Sequence, residues 1–417
     1  MSGLLETFLT RLIRYGSLKV TPASGAPFEV GDGSGPDLGL RFMSKSAERR
    51  FLQDPELTFG ELYMDHEIEV TRGTLLDILE LGLRNIVTLD GPRWMRILNR
   101  ARQTFKRLQQ DNTLARARRN VAHHYDIDAR VYDLFLDPDR QYSCAYFERD
   151  DATLEGAQLS KKRHLAAKLL IEPDQRILDI GCGWSGLSLY LASICSAQVT
   201  GVTLSKEQLS LGQSRVHAQG LSNRIDLRLQ DYRDVRETYQ RIVSVGMFEH
   251  VGIGYYDAYF QKIADLLSDD GVALIHTIGR SGKPDATNPW IDKYIFPGGY
   301  IPAMSEVLPA IERAGLMVTD VEVLQLHYAL TLRQWRERFL QNRDKAKALY
   351  DERFCRMWEF YLTSSEACFR LGQNVNFQFQ LTKRVGIVPM TRDYIAEREE
   401  RLRQIEQQQM AYSLAGE

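Results

Sequence analysis

The string Leu178-Asp179-Ile180-Gly181-Cys182-Gly183-Trp184-Ser185-Gly186 follows an apolar strand pattern and opens a helical one. Gly181, Gly183 and Gly186 match G-x-G-x-x-G, a turn that brings a ligand against backbone N–H groups at a helix N-terminus. Several nucleotide-type cofactors use that string, so its neighbours must separate them. A nicotinamide enzyme carries an acid about 20 residues on, at the end of the second strand, for the ribose hydroxyl. Here that place is Thr203, inside Val202-Thr203-Leu204; no acid lies in that strand, and Glu207 falls in the following helix. An acid instead precedes the glycines, Asp179 at the first strand's end. The pattern points to a sulfonium cofactor, S-adenosylmethionine, at Asp179, Gly181 and Gly183.

Other residues join that loop. Thr203 and Leu204 close the second strand beside it. Ser205-Lys206-Glu207-Gln208 spells a capping box, with Ser205 capping the helix and Gln208 reaching back, which also fixes Gln208 near the ribose edge. Asp231 and Tyr232 follow the third strand, where such a sheet receives adenine: Tyr232 against the ring, a backbone or carboxylate group on the amine. A plain polar loop is the alternative there.

These segments need a sheet to hold them. From Glu172 onward strand patterns (Arg176–Ile180, Gln198–Leu204, Ile225–Gln230, Arg241–Val245, Val272–Ile278) alternate with helical ones (Leu187–Ile194, Ser205–Gln219, Tyr256–Leu267). Such alternation builds a parallel sheet covered on both faces. After the irregular Gly279–Met304 stretch, Ser305–Ala314 reads as a helix, and Val318–Tyr328 and Asn376–Thr382 as late strands. Leu332–Arg370 reads as a helical excursion rich in aromatics, either a packed core or the cover of an apolar cavity. The expected fold is α/β: a Rossmann-like, seven-stranded, mostly parallel class I methyltransferase sheet. With 417 residues, two units are expected. Residues 1–119 form a smaller α+β unit, opened by a helix with Leu4, Leu5, Phe8, Leu9, Leu12 and Ile13 on one face; residues 120–417 form the catalytic unit.

Further strings fall in one order along the chain: His123-His124-Tyr125-Asp126, Tyr142-Ser143-Cys144-Ala145-Tyr146-Phe147, Gly246-Met247-Phe248-Glu249-His250-Val251-Gly252, His276-Thr277-Ile278-Gly279, Tyr294-Ile295-Phe296-Pro297-Gly298-Gly299, and His327-Tyr328 with Thr331, Leu332 and Trp335. With the glycine loop they resemble the cyclopropane-fatty-acyl-phospholipid synthase family, which includes the mycolic acid cyclopropane synthases. Phe59-Gly60-Glu61 with Tyr63-Met64-Asp65 resembles that family's N-terminal lipid-associated domain. The resemblance implies methylene transfer from S-adenosylmethionine to a cis double bond of a phospholipid acyl chain, through a carbocation that loses a proton as the ring closes. It implies a bicarbonate ion as the base, contacted by Cys144, Glu249, His276, Ile278 (through its backbone) and Tyr328. It adds Tyr142 and Ser143 to the cofactor contacts. An alkene is a poor nucleophile, so proximity and a dry, cation-tolerant pocket must supply most of the catalysis. Aromatic faces such as Tyr142, Tyr146, Phe147, Tyr294, Phe296 and Tyr328 can stabilise a cation, and packing is the alternative for each. His250 and His327 read as structural. Ser185 stands where the family has a further glycine, and Asp128-Ala129-Arg130 replaces a Gly-Asn pair, which bears on lipid choice and not on the methyl donor.

A formal net charge of −2 argues against nucleic acid as a partner. From Arg93 to Arg119, nine basic residues stand against one acid, Asp111. They form either a solvated helix face or a patch for anionic lipid, where each contributes about 1 kcal/mol. Five cysteines without a C-x-x-C pair argue against a disulfide framework or a zinc site, and no metal is expected. No apolar run approaches the roughly 18 residues that span a bilayer, and no signal-peptide pattern opens the chain. A cytoplasmic enzyme is expected, peripheral on the inner face of the phospholipid membrane, and by resemblance a homodimer. One rival keeps the chemistry but quenches the cation without ring closure, leaving a methyl-branched chain. Others are a small-molecule N-methyltransferase, which the basic stretch opposes, and an idle lipid-binding module, which Glu249, His276 and Tyr328 oppose.

Overall fold

The apolar stripe of the first helix, Ser2–Leu12, buries Leu5, Phe8, Leu9 and Leu12 against a four-stranded sheet. The computed structural model describes residues 2–89 and 127–415. The basic stretch Arg93–Arg119, the His123–Asp126 string and the expected boundary at 119/120 lie outside the described residues. In the first sheet β1 (Ser17–Thr21), β2 (Phe28–Gly31), β3 (Asp37–Phe42) and β4 (Ile68–Arg72) run in the order β2-β1-β3-β4. β1 pairs antiparallel with β2 and parallel with β3, and β3 pairs antiparallel with β4. Ser44 caps the next helix, Lys45–Gln53, by accepting from Ala47 N at 3.0 Å. Pro55 opens the helix Pro55–Met64, where its missing N–H is not needed.

The larger sheet contains β5 (Arg176–Ile180), β6 (Gln198–Thr203), β7 (Ile225–Leu229), β8 (Tyr239–Val245), β9 (Leu267–Arg280), β10 (Met317–Leu324) and β11 (Asn374–Thr382) in the order β10-β11-β9-β8-β5-β6-β7. Pairs from β7 to β9 are parallel, and β11 runs antiparallel to both its neighbours. This is the seven-stranded, mostly parallel sheet expected. Both faces are covered, as an apolar parallel sheet requires. Leu178, Ile180, Ile242 and Ile275 pack on one side with Tyr259, Phe260 and Ile263. Ile177, Val199, Val243 and Leu274 pack on the other with Leu165, Leu169 and Leu191.

Several elements differ from the sequence reading. β10 stops at Leu324, paired with Asn376, and β11 begins two residues earlier in that register. Residues beyond Leu324 have little strand left to pair with, so a helix starts at His327 and runs to Gln341. Tyr328 therefore sits in the first turn of a helix and not at a strand's end. The aromatic excursion is three helices, His327–Gln341, Arg343–Leu349 and Glu352–Leu371. Trp335, Phe339, Trp358, Phe360 and Tyr361 are buried there in one core with Tyr132 and Phe135, while Tyr350 is exposed and stacks on Phe354. The Gly279–Met304 stretch contains a short helix, Pro289–Tyr294, capped by Asn288.

The two sheet units touch through Gly60 and Glu61. A Cβ on Gly60 would lie 2.5 Å from Trp290 Nε1 and 2.6 Å from the Phe360 ring. Lys293 Nζ donates to Glu61 Oε1 at 2.6 Å, and Arg353 Nε to Asp65 Oδ1 at 2.9 Å.

Candidate active site

The carboxyl ends of β5, β6, β7 and β8 open on one cavity, the usual binding place of a doubly wound sheet. All ten residues read as cofactor contacts line it: Tyr142, Ser143, Asp179, Gly181, Gly183, Thr203, Leu204, Gln208, Asp231 and Tyr232. Gly181 has φ 83° and Gly183 φ 53°, left-handed backbone that glycine adopts freely. A Cβ on Gly181 would stand 3.0 Å from Met247, so that glycine also keeps the wall open. Ser185 carries a side chain at φ 67°. Gly212 makes room for it, since a Cβ there would lie 2.4 Å from Ser185 Oγ.

Asp179 is buried and accepts from Ser188 Oγ at 2.7 Å; burial pushes its carboxyl up to about 6. Half of the expected capping box is present. Ser205 Oγ accepts from Gln208 N at 3.3 Å. The Gln208 side chain does not reach back; its Oε1 accepts from Thr203 Oγ1 at 3.2 Å, and Ser205 N also donates to Thr203 Oγ1. Thr203 thus holds the Gln208 amide at the cavity. Asp231 caps a short 3₁₀ turn, accepting from Arg233 N at 3.0 Å and from its guanidinium at 2.8 Å. The Tyr232 ring meets Tyr259 edge-on at 5.4 Å.

The cavity fits S-adenosylmethionine: a glycine cradle at β5, polar side chains at β6 and an aromatic ring at β7. Other lining residues carried no sequence signal as contacts, Lys161, Arg140 and His250 among them. Lys161 comes from the buried helix Leu154–Lys168. Arg140 adjoins Tyr142. His250, read as structural, faces the cavity, and burial holds its imidazole down at about 4.

The five residues assigned to the reaction centre do not line this cavity; they adjoin its wall at Tyr142–Ser143 and Gly246–Met247. Glu249 and Ile278 meet directly, Ile278 N donating to Glu249 Oε1 at 2.6 Å. Glu249 Oε2 is buried with no hydrogen bond of normal geometry among the described residues; the nearby Thr277 hydroxyl, which helps hold the carboxyl's charge, donates to Ile278 O at 3.0 Å. Burial pushes this carboxyl up to about 7. His276 is also buried, and its ring nitrogens face Asn376 Nδ2 and Gln378 Nε2, each at 3.2 Å. Burial holds it near 3. A neutral imidazole has one donor and one acceptor, so the ring can accept from only one of those amide nitrogens at a time. Cys144 Sγ donates to Ala145 O at 3.3 Å, and burial pushes the thiol up, so it is not a thiolate nucleophile. Tyr328 packs on Trp335 at 5.8 Å and Phe369 at 4.8 Å. Trp335 in turn stacks on Tyr142 at 5.2 Å, which joins Tyr328 to the cavity through rings. His327 accepts from Phe147 N at 2.9 Å and stacks on Tyr146, a packing role.

The family described as mycolic acid cyclopropane synthetase matches residues 112–379. The cyclopropane-fatty-acyl-phospholipid synthase of Escherichia coli is 38% identical over 341 residues, 81% of this chain and 86% of that protein. A probable fatty acid methyltransferase of Pseudomonas putida is 42% identical over 259 residues, 60% of this chain and 66% of that protein. Among solved structures, the mycolic acid cyclopropane synthase CmaA1 complexed with SAH and CTAB aligns with a TM-score of 0.60 at 36% identity, covering 63% of this chain and 97% of that one. The chain belongs to the mycolic acid cyclopropane synthetase family and is an S-adenosylmethionine-dependent methyltransferase.

Proposed function

We propose that the chain transfers a one-carbon unit to a cis double bond of phospholipid acyl chains and closes a cyclopropane ring. The observation that carries this reading is Glu249: a buried carboxyl beside the donor cavity, with one oxygen on the Ile278 amide and the other without a hydrogen bond of normal geometry among the described residues. S-adenosylmethionine, when bound, supplies an electrophilic methyl. Alkylating an alkene leaves a cation on the acyl chain, and ring closure requires a group to take one proton. A carboxyl raised to about 7 exchanges a proton near neutrality, directly or through a bound anion. The faces of Tyr142, Trp335 and Tyr328 suit a neighbouring cation.

Bicarbonate is part of the same proposal. It would supply the base. Glu249 Oε2 is the buried polar atom that would accept its O–H, with Tyr328 beside it; Cys144 would reach it by releasing Ala145 O and the Ile278 N–H by releasing Glu249 Oε1. His276 would reach it by releasing Asn376 or Gln378. Phospholipid as substrate is supported by the name of the Escherichia coli relative. Peripheral attachment to anionic lipid at the inner membrane face belongs to the same proposal; the first unit exposes Leu4, Tyr15 and Met43, which could contact a lipid surface, and no described helix is long and apolar enough to cross a membrane. A homodimer would engage the surface at two points. The second reading, a methyl-branched product without ring closure, is favoured by the fatty acid methyltransferase relative.

Incubation with S-adenosylmethionine and unsaturated phospholipid vesicles, with mass analysis of the acyl chains, tests the reading. Gain of one CH₂ with loss of the double bond is expected. A retained double bond would favour the branched product, and no turnover would overturn both.

A further inference from the structure

Lys161 is 1% exposed and lines the cofactor cavity. Its Nζ donates to Gln141 Oε1 at 2.6 Å and to Ser143 Oγ at 2.9 Å. Both partners are neutral, and an ammonium has three N–H donors. Among the described residues, no carboxylate is in ion-pair contact with it. The acids around it are committed elsewhere. Asp139 pairs with Lys162 at 2.6 Å and with Arg215. Asp137 accepts from the Gln141 and Asp139 amides, and Asp179 accepts from Ser188. A buried cation is stable only beside an anion or a full set of acceptors. This one has two acceptors and faces a cavity.

Its place in the cavity says which anion. Asp231 and Tyr232 end β7, while Lys161 is bonded to Ser143, whose Cβ stands 3.9 Å from where a Cβ on Gly246, after β8, would lie. β7 and β8 are three strand intervals apart in the sheet, about 14 Å. An adenosyl amino acid with its base at β7 brings its amino-acid end to β5 and β8, beside Lys161. We infer that Lys161 is the cationic partner of the carboxylate on the donor's amino-acid end, so that donor and protein complete one buried charge pair. The inference rests on the S-adenosylmethionine reading of the cavity. Lys161 does not hold the Gln141–Ser143 segment alone, because Gln158 Nε2 donates to Gln141 O at 3.2 Å and to Ser143 O at 3.0 Å.

The test is calorimetric binding of S-adenosylhomocysteine and of its decarboxylated analogue to the full chain, to K161M and to K161Q. The wild-type chain should prefer the carboxylate ligand, and both variants should lose on the order of 30-fold or more on it while nearly keeping the analogue. Equal losses on both ligands, or equal wild-type affinities, would overturn the inference. Failure of the wild-type chain to bind either ligand would instead overturn the cofactor reading. A second measurement needs no variant. In wild-type protein near pH 8, where burial holds the Lys161 ammonium at about 8, S-adenosylhomocysteine should draw in protons and the analogue should not. The other groups facing Lys161 (Asp137, Asp139, Asp179, Lys162, Cys144 and His276) face both ligands alike. Equal proton uptake would also contradict the assignment.

Discussion

Lys293 Nζ donates to Glu61 Oε1 across 2.6 Å, and Tyr294 Oη joins the same oxygen at 3.0 Å. Burial alone would raise the Glu61 carboxyl, but Lys293, Tyr294 and Arg50 override it and hold the group below its ordinary 4.5. The ion pair ties the small sheet unit to the helix that precedes the Phe296-Pro297-Gly298-Gly299 loop. Glu61→Ala should cost about 1–2 kcal/mol in unfolding free energy and slow turnover on vesicles while leaving donor affinity intact. The contribution is present above 4.5 and lost as pH falls through the depressed value. Unchanged melting and turnover would contradict this role.

Gly60 should resist the substitution that usually helps a helix. Alanine is the better helix former by about 1 kcal/mol, yet its Cβ would collide with Trp290 and Phe360. Gly60→Ala should therefore destabilise by about 1–3 kcal/mol in denaturant unfolding. A more stable variant would show that the contact yields freely.

Ser185→Gly should act in the opposite direction. Ser185 holds a left-handed conformation at φ 67°, which costs a side-chain-bearing residue roughly 1 kcal/mol relative to glycine. The variant should gain up to about that much and bind the donor unchanged. A loss of stability would mean that the Ser185 side chain contributes more than its backbone costs.

Glu249→Gln should separate chemistry from folding. Turnover should fall about 10²–10⁴-fold with donor affinity preserved. In the unfolded chain this carboxyl ionises at 4.5, and in the folded chain at about 7. Wild-type stability should thus drop relative to the variant as pH rises across that range, by on the order of 3 kcal/mol. Parallel stability profiles would show that Glu249 ionises normally in the fold.

What the sequence showed and what it hid follow one physical division. The glycine loop, β5 to β8 and the helices between them were legible because turn chemistry and apolar periodicity are local. Lys161 was not: its helix buries Gln158, Lys161, Arg163, His164 and Lys168, so no apolar stripe marks the buried face. Lys168 and His164 meet Glu322, and His164 and Arg163 meet Glu399 and Glu406, partners more than 150 positions away that no spacing rule connects. The Glu61–Lys293 pair is equally remote. The end of β10 was misplaced because Leu324 to Tyr328 continues an apolar pattern, and only the register with β11 sets where strand pairing stops. The His250 imidazole was set aside as packing because its facing depends on the turn after β8.

The most direct measurement follows a carbon-13 methyl from S-adenosylmethionine into unsaturated phospholipid vesicles by proton-detected NMR of the extracted lipids. Ring closure predicts that the labelled carbon appears as a cyclopropane methylene, and that Glu249→Gln abolishes that signal. A labelled methyl branch, or no label in the lipid at all, would contradict the account.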